Sequence, residues 1–279
     1  MTSTLNFNVF TAPEKPMVGE RPRPLGPAMA WDPMTSTLIY GENDAVLVDP
    51  LTTVAEAEAL AAWVKLHNRN LTTIYITHGH IDHFSGLGVL LKHFPQAQAI
   101  GSPSTVKMAQ ESLSILSWFS KFLPGQFPTD TPLPEVYKEE TFTLEGHELR
   151  IIEQGHTDGV DSTSLYVPSL DLVVGGDVLY NQCHQYVGES TPESRANWIA
   201  ALDRLAALNP KYAVAGHKKT GVPDVPESIE WTKQYLVDFG RLQAETSSDQ
   251  ELFDAMTELY PTWACHQAWL MFGFPMPAE

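Results

Sequence analysis

Residues 77–83 read Thr77-His78-Gly79-His80-Ile81-Asp82-His83 and directly follow an apolar run at 71–76 with the composition of a β-strand. Three imidazoles and one carboxylate therefore lie in one short loop at the end of a predicted strand. Both groups are common ligands of zinc and similar metals. On an extended backbone residues two apart share a side, so the side chains of His78, His80 and Asp82 can converge. The stretch predicts most of a metal site and leaves its remaining ligands to be found elsewhere.

Three later loops repeat one pattern, in which a predicted strand ends, a glycine follows, and a metal-binding residue type comes next. The three residues are His156, Asp177 and His217. Glycine permits the turns and close backbone approaches that a crowded site imposes. Any one of these residues alone would be explained as an ordinary hydrogen-bonded loop residue. Together with residues 78–83 they include five of the ten histidines in the chain, and they predict a metal site assembled from four loops.

Helical and strand patterns alternate through most of the chain, and the strands between 140 and 175 are hairpin-like. This order predicts an α/β (α+β) fold with two mixed β-sheets packed face to face and helices outside. We expect a single domain over 1–279, with a helical, proline-rich insertion at about 103–135 and a helical C-terminal extension at about 226–279. The insertion begins with one predicted helix at 103–122, and the tail to 273 reads as three helices.

Composition limits the partners and the compartment. The chain has 279 residues with 17 Lys and Arg against 34 Asp and Glu, a formal net charge of −17. That charge argues against nucleic acid or an anionic membrane as a partner and leaves a small-molecule substrate. Cys183 and Cys265 read as reduced thiols, and we find neither a signal peptide nor an apolar run of the ~20 residues that a membrane span needs. We therefore expect a cytoplasmic protein and leave a homodimer open.

The order His78-x-His80-x-Asp82-His83, then His156, Asp177 and His217, strongly resembles the metallo-β-lactamase superfamily over about residues 5–220. The resemblance implies an αββα sandwich with a dinuclear zinc site between the sheet edges, with Mn or Fe as alternative metals. It assigns the ligands residue by residue: His78, His80 and His156 to the first metal, Asp82, His83 and His217 to the second, and Asp177 as the bridge.

The resemblance also implies a hydrolase. A cysteine binds the second metal in the familiar β-lactamase subclass, whereas this chain has Asp177 and His83, as in glyoxalase II and the acyl-homoserine lactonases. We expect ring opening of a small cyclic ester or amide by a metal-bridging hydroxide, with Asp82 or Asp177 carrying the proton to the leaving atom. A thioesterase like glyoxalase II and a phosphodiester hydrolase are the alternatives. A di-iron redox protein is disfavoured because about 60 residues follow His217, too few for a flavodoxin-like partner domain.

Three further residues have predicted roles near this site. Tyr180 lies three residues after Asp177, the offset at which quorum-quenching lactonases place a tyrosine that donates to the substrate carbonyl; packing is the alternative. Asp49 ends the predicted strand VLVDP and would orient a ligand loop by accepting hydrogen bonds, or would simply face water. His184 would line the substrate pocket. The aromatic residues at 115–122 read as core, or as a pocket wall if that segment covers the metals.

Overall fold

The structure, a computed structural model, describes residues 4–18, 26 and 28–264, and its secondary structure alternates between strands and helices. The strands are β1 (Asn6–Ala12), β2 (Lys15–Pro16), β3 (Ala30–Trp31), β4 (Met34–Tyr40), β5 (Asp44–Val48), β6 (Asn70–Ile76), β7 (Gln98–Gly101), β8 (Glu135–Val136), β9 (Thr141–Leu144), β10 (His147–Gly155), β11 (Ser162–Val167), β12 (Leu172–Val174), β13 (Tyr180–Asn181), β14 (Tyr212–Val214) and β15 (His217–Lys218). The helices are α1 (Val54–Leu66), α2 (Ile81–Phe84), α3 (Leu87–His93), α4 (Pro103–Ser114), α5 (Leu116–Phe119), α6 (Pro192–Ala207), α7 (Glu227–Glu245) and α8 (Asp249–Leu259).

The strands form two main sheets, and both are mixed. The larger sheet has the order β13-β15-β4-β5-β6-β7-β8, with β1 also paired to β4, and the smaller has the order β14-β12-β11-β10-β9. In the larger sheet β4 and β5 are antiparallel, whereas β5, β6 and β7 are parallel. In the smaller sheet only the pairing of β12 with β14 is parallel among the described strands. The prediction of two mixed sheets is confirmed.

Strand alternation divides the buried apolar residues into three clusters, and these define the layers. Val46 of β5 and Tyr75 of β6 face the smaller sheet and pack with Leu165 of β11. Their neighbours Leu47 and Ile74 point the other way and belong to the cluster that contains the buried residues of α1 and α3. A third cluster joins the opposite face of the smaller sheet to α6, α7 and α8. The order of layers is therefore helix, sheet, sheet, helix.

Helix termini follow local chemistry. Thr53 caps α1 and forms a capping box with Glu56, and Thr191 caps α6 with Pro192 in the first turn. The prediction of one helix over 103–122 is wrong. The backbone of Ile115 leaves helical geometry (φ −109°, ψ 11°) and separates α4 from α5. After the break, Phe119 packs edge-on against Trp31, with ring centroids 6.1 Å apart.

The C-terminal region contains two of the three helices predicted for 226–273, α7 and α8, and the part of that stretch from 265 onward lies outside the described residues. The division into one domain with an insertion and an extension stays a prediction. In the part of the chain that the structure describes, no helix combines the length and apolar character that crossing a bilayer requires.

Candidate metal centre

Polar side chains from four loops meet at one end of the two sheets. His78 and His80 follow β6, and Asp82 and His83 lie in the short helix α2 that comes next. Asp177 lies in a 3-10 turn (Gly176–Val178) after β12. The loop after β10 carries His156 and Asp158, and His217 lies at the start of β15, just beyond β14. The larger sheet thus provides one ligand loop, and the smaller sheet provides the loops after β10, β12 and β14.

The ligand atoms collect in two groups, within each of which all atoms lie within 4.8 Å of one another. One group consists of His78, His80, Asp158 and Asp177, and the other of Asp82, His83 and His217. Asp177 connects the two groups, because its Oδ1 lies 3.1 Å from His83 Nε2 and its Oδ2 lies 3.1 Å from His217 Nε2. Six of the seven predicted ligands are therefore brought together, and Asp158 joins them.

The hydrogen-bond partners of the histidines identify which ring nitrogen faces inward. His83 Nδ1 lies 2.8 Å from Asp49 Oδ2, which can only accept, so Nδ1 carries the proton and Nε2 points inward. The Thr77 hydroxyl donates to Asp49 Oδ2 at 2.8 Å and therefore accepts from His78 Nδ1 at 3.1 Å. Metal-binding histidines typically donate their outer N–H in this way. The inner nitrogens of His78 and His83 thus face carboxylates.

Several inner atoms are buried without a hydrogen-bond partner among the described residues. They include His83 Nε2, Asp158 Oδ2 and Asp177 Oδ1. Although His83 Nε2 and Asp177 Oδ1 are only 3.1 Å apart, they do not have the geometry of a hydrogen bond. An unpartnered buried polar atom costs about 1–3 kcal/mol, and more when it is charged. Divalent cations between these atoms would satisfy all of them, so the residues fit a metal centre.

Electrostatics set the protonation states that such a centre needs. Burial, together with the nearby His83, lowers the pKa of His78 to about 3, so its imidazole is neutral at neutral pH. Burial opposes charge on Asp177, but His217 and His83 outweigh it and hold its pKa well below the usual value. Burial likewise disfavours a charge on His83, yet Asp177 and Asp49 raise its pKa. A proton on His83 and a metal ion therefore compete for the same carboxylates.

Two glycines are required by the crowding around Asp177. A Cβ on Gly216 would lie 2.1 Å from Asp177 Oδ1, closer than any real contact. Gly176 has φ +55°, and a Cβ there would lie 2.7 Å from Thr77 Oγ1. The backbone of the β14–β15 loop thus approaches the carboxylate as closely as a chain without a side chain permits. The glycines before Asp177 and His217 are therefore explained by steric crowding.

Asp49, at the end of β5, is 3% exposed and lies directly behind the first ligand loop. Its Oδ1 accepts from the Thr77 backbone N–H at 2.9 Å, and its Oδ2 accepts from Thr77 Oγ1 and from His83 Nδ1, both at 2.8 Å. These are the contacts that an orienting carboxylate makes. The catalytic importance of Asp49 stays a prediction.

Tyr180 and His184 are both fully buried, in different surroundings. The Tyr180 hydroxyl donates to Asp177 Oδ2 at 3.1 Å, and its ring stacks on that of His217 at 5.5 Å. Its hydroxyl and ring therefore contact two predicted ligands, and its donation to a substrate stays a prediction. His184 Nδ1 lies 3.1 Å from the Tyr235 hydroxyl, within an aromatic cluster that includes Trp263. Among the described residues, His184 is not part of the cavity wall described below, and its predicted pocket role stays untested.

His156 is the predicted ligand that does not join either group. Its Nε2 lies 3.0 Å from the backbone carbonyl of Glu189, to which it donates. Two residues later, Asp158 is fully buried and directs Oδ2 at His80 Nδ1, 3.0 Å away. No pattern in the sequence singled out Asp158, because residues 156–159 form a bend in which the alternation of an extended strand does not hold.

A cavity opens from the metal centre and has an aromatic wall. Its volume is about 70 Å³, and its lining includes ligands from both groups. The wall is formed by Trp31, Trp118, Phe119 and Phe122, and the lining is completed by His80, Ile81, Asp82, Asp177, Tyr186 and Glu189. Trp31 comes from β3, which the sequence reasoning did not connect with the site. No lysine or arginine is among the described residues of this lining, and Glu189 is half-exposed beside His80.

Comparison with known proteins gives one consistent result. The family described as "Metallo-beta-lactamase superfamily" matches residues 29–217. A "Metallo-beta-lactamase type 2" of Bacteroides fragilis is 26% identical over 210 residues, covering 73% of this chain and 75% of that protein. A "Hydroxyacylglutathione hydrolase" of Glaesserella parasuis is 30% identical over 187 residues, covering 66% of this chain and 65% of that protein. The chain matches from about two fifths to two thirds of the length of such hydroxyacylglutathione hydrolases.

Solved structures with a similar fold are also metallo-beta-lactamases. A solved structure of the DIM-1 metallo-beta-lactamase aligns with a TM-score of 0.60 at 15% identity, covering 85% of this chain and 99% of that one. At this identity the likeness concerns the fold alone, and it confirms the αββα sandwich.

Proposed function

Because the chain belongs to the metallo-β-lactamase superfamily of metal-dependent hydrolases, we propose that it is a dinuclear zinc enzyme that opens a small, partly apolar cyclic ester or amide. One observation carries this proposal: the two groups of ligand atoms open directly into a cavity whose wall is aromatic. When bound, the two metals supply Lewis acidity toward a carbonyl and lower the pKa of a water molecule to roughly 7. The chain supplies orientation, exclusion of water and proton transfer.

The cavity wall binds the apolar part of the substrate. Trp118 packs edge-on against Phe119 and Phe122, with ring centroids 5.0 and 4.8 Å apart, and Phe119 reaches Trp31. The four rings therefore form one continuous apolar surface along the cavity. A lactone or lactam ring with a short apolar substituent matches this surface.

Proton transfer falls to the two buried carboxylates of the cavity lining, those of Asp82 and Asp177. Asp82 is 4% exposed and Asp177 is 3% exposed, and both contribute to the lining. In the proposed reaction one of them takes the proton of the attacking water and returns it to the leaving oxygen or nitrogen. The Tyr180 hydroxyl acts through Asp177, since it donates to Asp177 Oδ2. Tyr180 is therefore a positioning residue in this proposal.

A thioesterase is the second candidate, because hydroxyacylglutathione hydrolases are among the relatives. Glutathione carries carboxylates that need a positive partner. The described lining of the cavity offers Glu189 and no lysine or arginine, and the chain has a net charge of −17. Phosphodiesters meet the same electrostatic obstacle. These charges favour a neutral substrate over both anionic classes.

The test is a substrate panel on the purified, zinc-loaded full chain. It contains homoserine lactones of increasing acyl length, small γ-lactams, S-lactoylglutathione and bis(p-nitrophenyl) phosphate. We expect turnover of a lactone or lactam by the zinc-loaded chain, and two zinc ions per chain by elemental analysis of the protein as first purified, before zinc is added. Activity confined to the thioester or the phosphodiester would contradict the proposal, and two irons with a visible absorption band would point to redox chemistry.

The aromatic wall has its own test within this panel. Trp118→Ala should raise KM more for long-chain than for short-chain substrates, and Trp118→Phe, which keeps a ring, should stay close to the wild type. Equal effects of the two variants on all substrates would show that the wall does not contact the substrate.

A further inference from the structure

Glu189 brings a carboxylate to the cavity that opens from the metal centre. It lies in a turn in which the Ser190 backbone N–H donates to the carbonyl of Val187 at 3.0 Å. Its side chain is 42% exposed and lines both that cavity and a second one, whose volume is about 110 Å³. The lysine of the second cavity, Lys107, is paired with Glu111 at 3.9 Å. Glu189 is therefore within reach of a molecule bound beside the metals.

The two oxygens of the Glu189 carboxylate differ in their contacts. Oε1 lies 3.2 Å from His80 Nε2 and accepts from the Tyr186 hydroxyl at 3.5 Å. Because a carboxylate only accepts, His80 donates through Nε2 and keeps Nδ1 for the metal centre. Within the described part of the chain, no hydrogen bond or ion pair is formed by Oε2. That oxygen can therefore accept from a bound ligand.

The charge of Glu189 is not compensated by the metal centre. Two divalent ions would carry four positive charges, and the carboxylates of Asp82, Asp158 and Asp177 would balance three of them. The hydroxide ion that a hydrolytic reaction consumes would balance the fourth. The described lining of the cavity contains no lysine or arginine, and the whole chain has a net charge of −17. The cavity therefore carries the negative charge of Glu189 and attracts cations.

Aromatic rings that bind cations lie beside this carboxylate. The Tyr186 ring packs edge-on against His80, with ring centroids 5.8 Å apart, and the aromatic wall lines the same cavity. The face of an aromatic ring attracts an ammonium group within about 6 Å, and tryptophan does so most strongly. A neutral apolar substituent would contact the wall but leave Glu189 Oε2 without a partner. An anionic substituent would be repelled.

We propose that the cavity selects a substrate whose ring carries a positively charged substituent, an ammonium or quaternary ammonium group, bound between Glu189 and the aromatic wall. The proposal rests on the proposed function, because the same cavity holds the ring that is opened. It narrows the substrate class from a partly apolar ring to a cationic one. Glu189 is the specificity-determining residue, and Trp118 supplies the ring face.

The experiment compares two ligands that differ in charge and have nearly the same shape. Choline carries a quaternary ammonium group, and in its neutral isostere a carbon atom replaces the nitrogen. Both are titrated by calorimetry into the zinc-loaded full chain, as wild type, Glu189→Gln, Glu193→Gln and Trp118→Leu. Glu193→Gln is the matched control, because Glu193 is exposed in the first turn of α6 and lies outside the described lining of both cavities.

We expect wild type and Glu193→Gln to bind choline about tenfold more tightly than the isostere, the combined effect of an ion pair and a cation–π contact. Glu189→Gln removes the charge and keeps an oxygen for His80 Nε2, so the preference should fall to about threefold or less. Trp118→Leu should weaken the binding of choline more than that of the isostere. The ratio is measured within one protein sample, so a change in folding or zinc content acts on both ligands.

Equal binding of the two ligands by the wild type would overturn the proposal, and so would a tenfold preference that survives in Glu189→Gln. The proposed function fails separately. A preference for choline without turnover of any lactone or lactam would support the cation site and contradict the reaction class. Turnover of a lactone together with equal binding would do the reverse. When a lactone is turned over, γ-butyrolactones that carry the same two groups should show the same order in kcat/KM.

Discussion

Replacing Asp49 by asparagine tests whether the carboxylate behind the ligand loop sets the tautomer of His83. Asp49 accepts three hydrogen bonds, from the Thr77 N–H, the Thr77 hydroxyl and His83 Nδ1. The amide of asparagine has nearly the same volume, and its oxygen can still accept from the Thr77 N–H. Its NH₂ group, however, meets the other two partners as a donor. His83 can then remain hydrogen-bonded only if Nδ1 becomes the acceptor and the proton moves to Nε2.

That proton would occupy the space where Nε2 faces Asp177 Oδ1 at 3.1 Å. The orientation of a ligating histidine by its outer partner is worth about 10–100-fold in metal affinity, so we expect a loss of that size for the second metal. The fold should suffer less, because one charge-assisted hydrogen bond is worth about 1.5–3 kcal/mol. Asp49→Ala would instead orphan three buried donors at about 1–3 kcal/mol each, which makes it an ambiguous test.

The assay combines a Zn²⁺ titration against a chelator with thermal melting of the metal-free protein. Asp44→Asn is the matched control, since it makes the same change at the other end of β5, where Asp44 Oδ1 accepts a hydrogen bond from Asn70 Nδ2. It should leave metal binding unchanged. If Asp49→Asn binds both ions as tightly as this control, the tautomer of His83 is not set by Asp49 and the reasoning is refuted.

Three further predictions concern the same centre. Gly216→Ala should displace Asp177 and weaken binding of both metals, because the new Cβ would lie 2.1 Å from Asp177 Oδ1; unchanged zinc content would show that the loop can retreat. Tyr180→Phe should lower kcat with two metals still bound, since the hydroxyl donates to Asp177 Oδ2 and is absent from the two groups of clustered ligand atoms; an unchanged kcat would reduce Tyr180 to packing. The pKa of Asp158 is about 2, because the neighbouring His78 and His80 outweigh the effect of burial. A depressed carboxylate pKa stabilises the fold above the unfolded value of about 3.9 and ceases to do so as pH falls through the folded value. The stability advantage of metal-free wild type over Asp158→Asn should therefore be present at pH 5 and shrink toward pH 2 in urea titrations, and a constant difference would contradict this.

The sequence was most informative at the ends of predicted strands, because the position of a strand end determines both the fold and the place of a ligand. Ligands at strand ends are predictable because strands of two facing sheets present their ends at a common edge, and the apolar runs locate those ends. The glycines before Asp177 and His217 could also be interpreted from the sequence, since crowding at the carboxylate excludes a Cβ at Gly216. The two mixed sheets and six of the seven clustered ligand residues were predicted in this way.

The remainder depends on side-chain directions and on contacts between distant segments. The orientations of His156 and Asp158 depend on hydrogen bonds to the main-chain carbonyl of Glu189 and to the hydroxyl groups of Thr157 and Ser162. Amino-acid composition does not predict such side-chain orientations. The break at Ile115 was missed because α4 and α5 share a continuous helical pattern, while the packing of the second helix against β3 is a tertiary effect.

The ligand loops belong to both sheets, and this has a consequence for how the chain reaches its native state. The loop after β6 extends from the larger sheet, and the loops after β10 and β12 extend from the smaller one. The first group of ligand atoms draws on both sheets, since His78 and His80 follow β6 and Asp177 follows β12, so tight metal uptake there reports that the two halves have docked in register. Newly made protein deprived of metal would keep the apolar layer between the sheets. It would lack the metal ions that join the ligand loops at this edge. Proteolytic cleavage of metal-starved chains should accordingly begin in these loops. The rate at which added zinc protects the loops from cleavage would then report the rate of the last folding step.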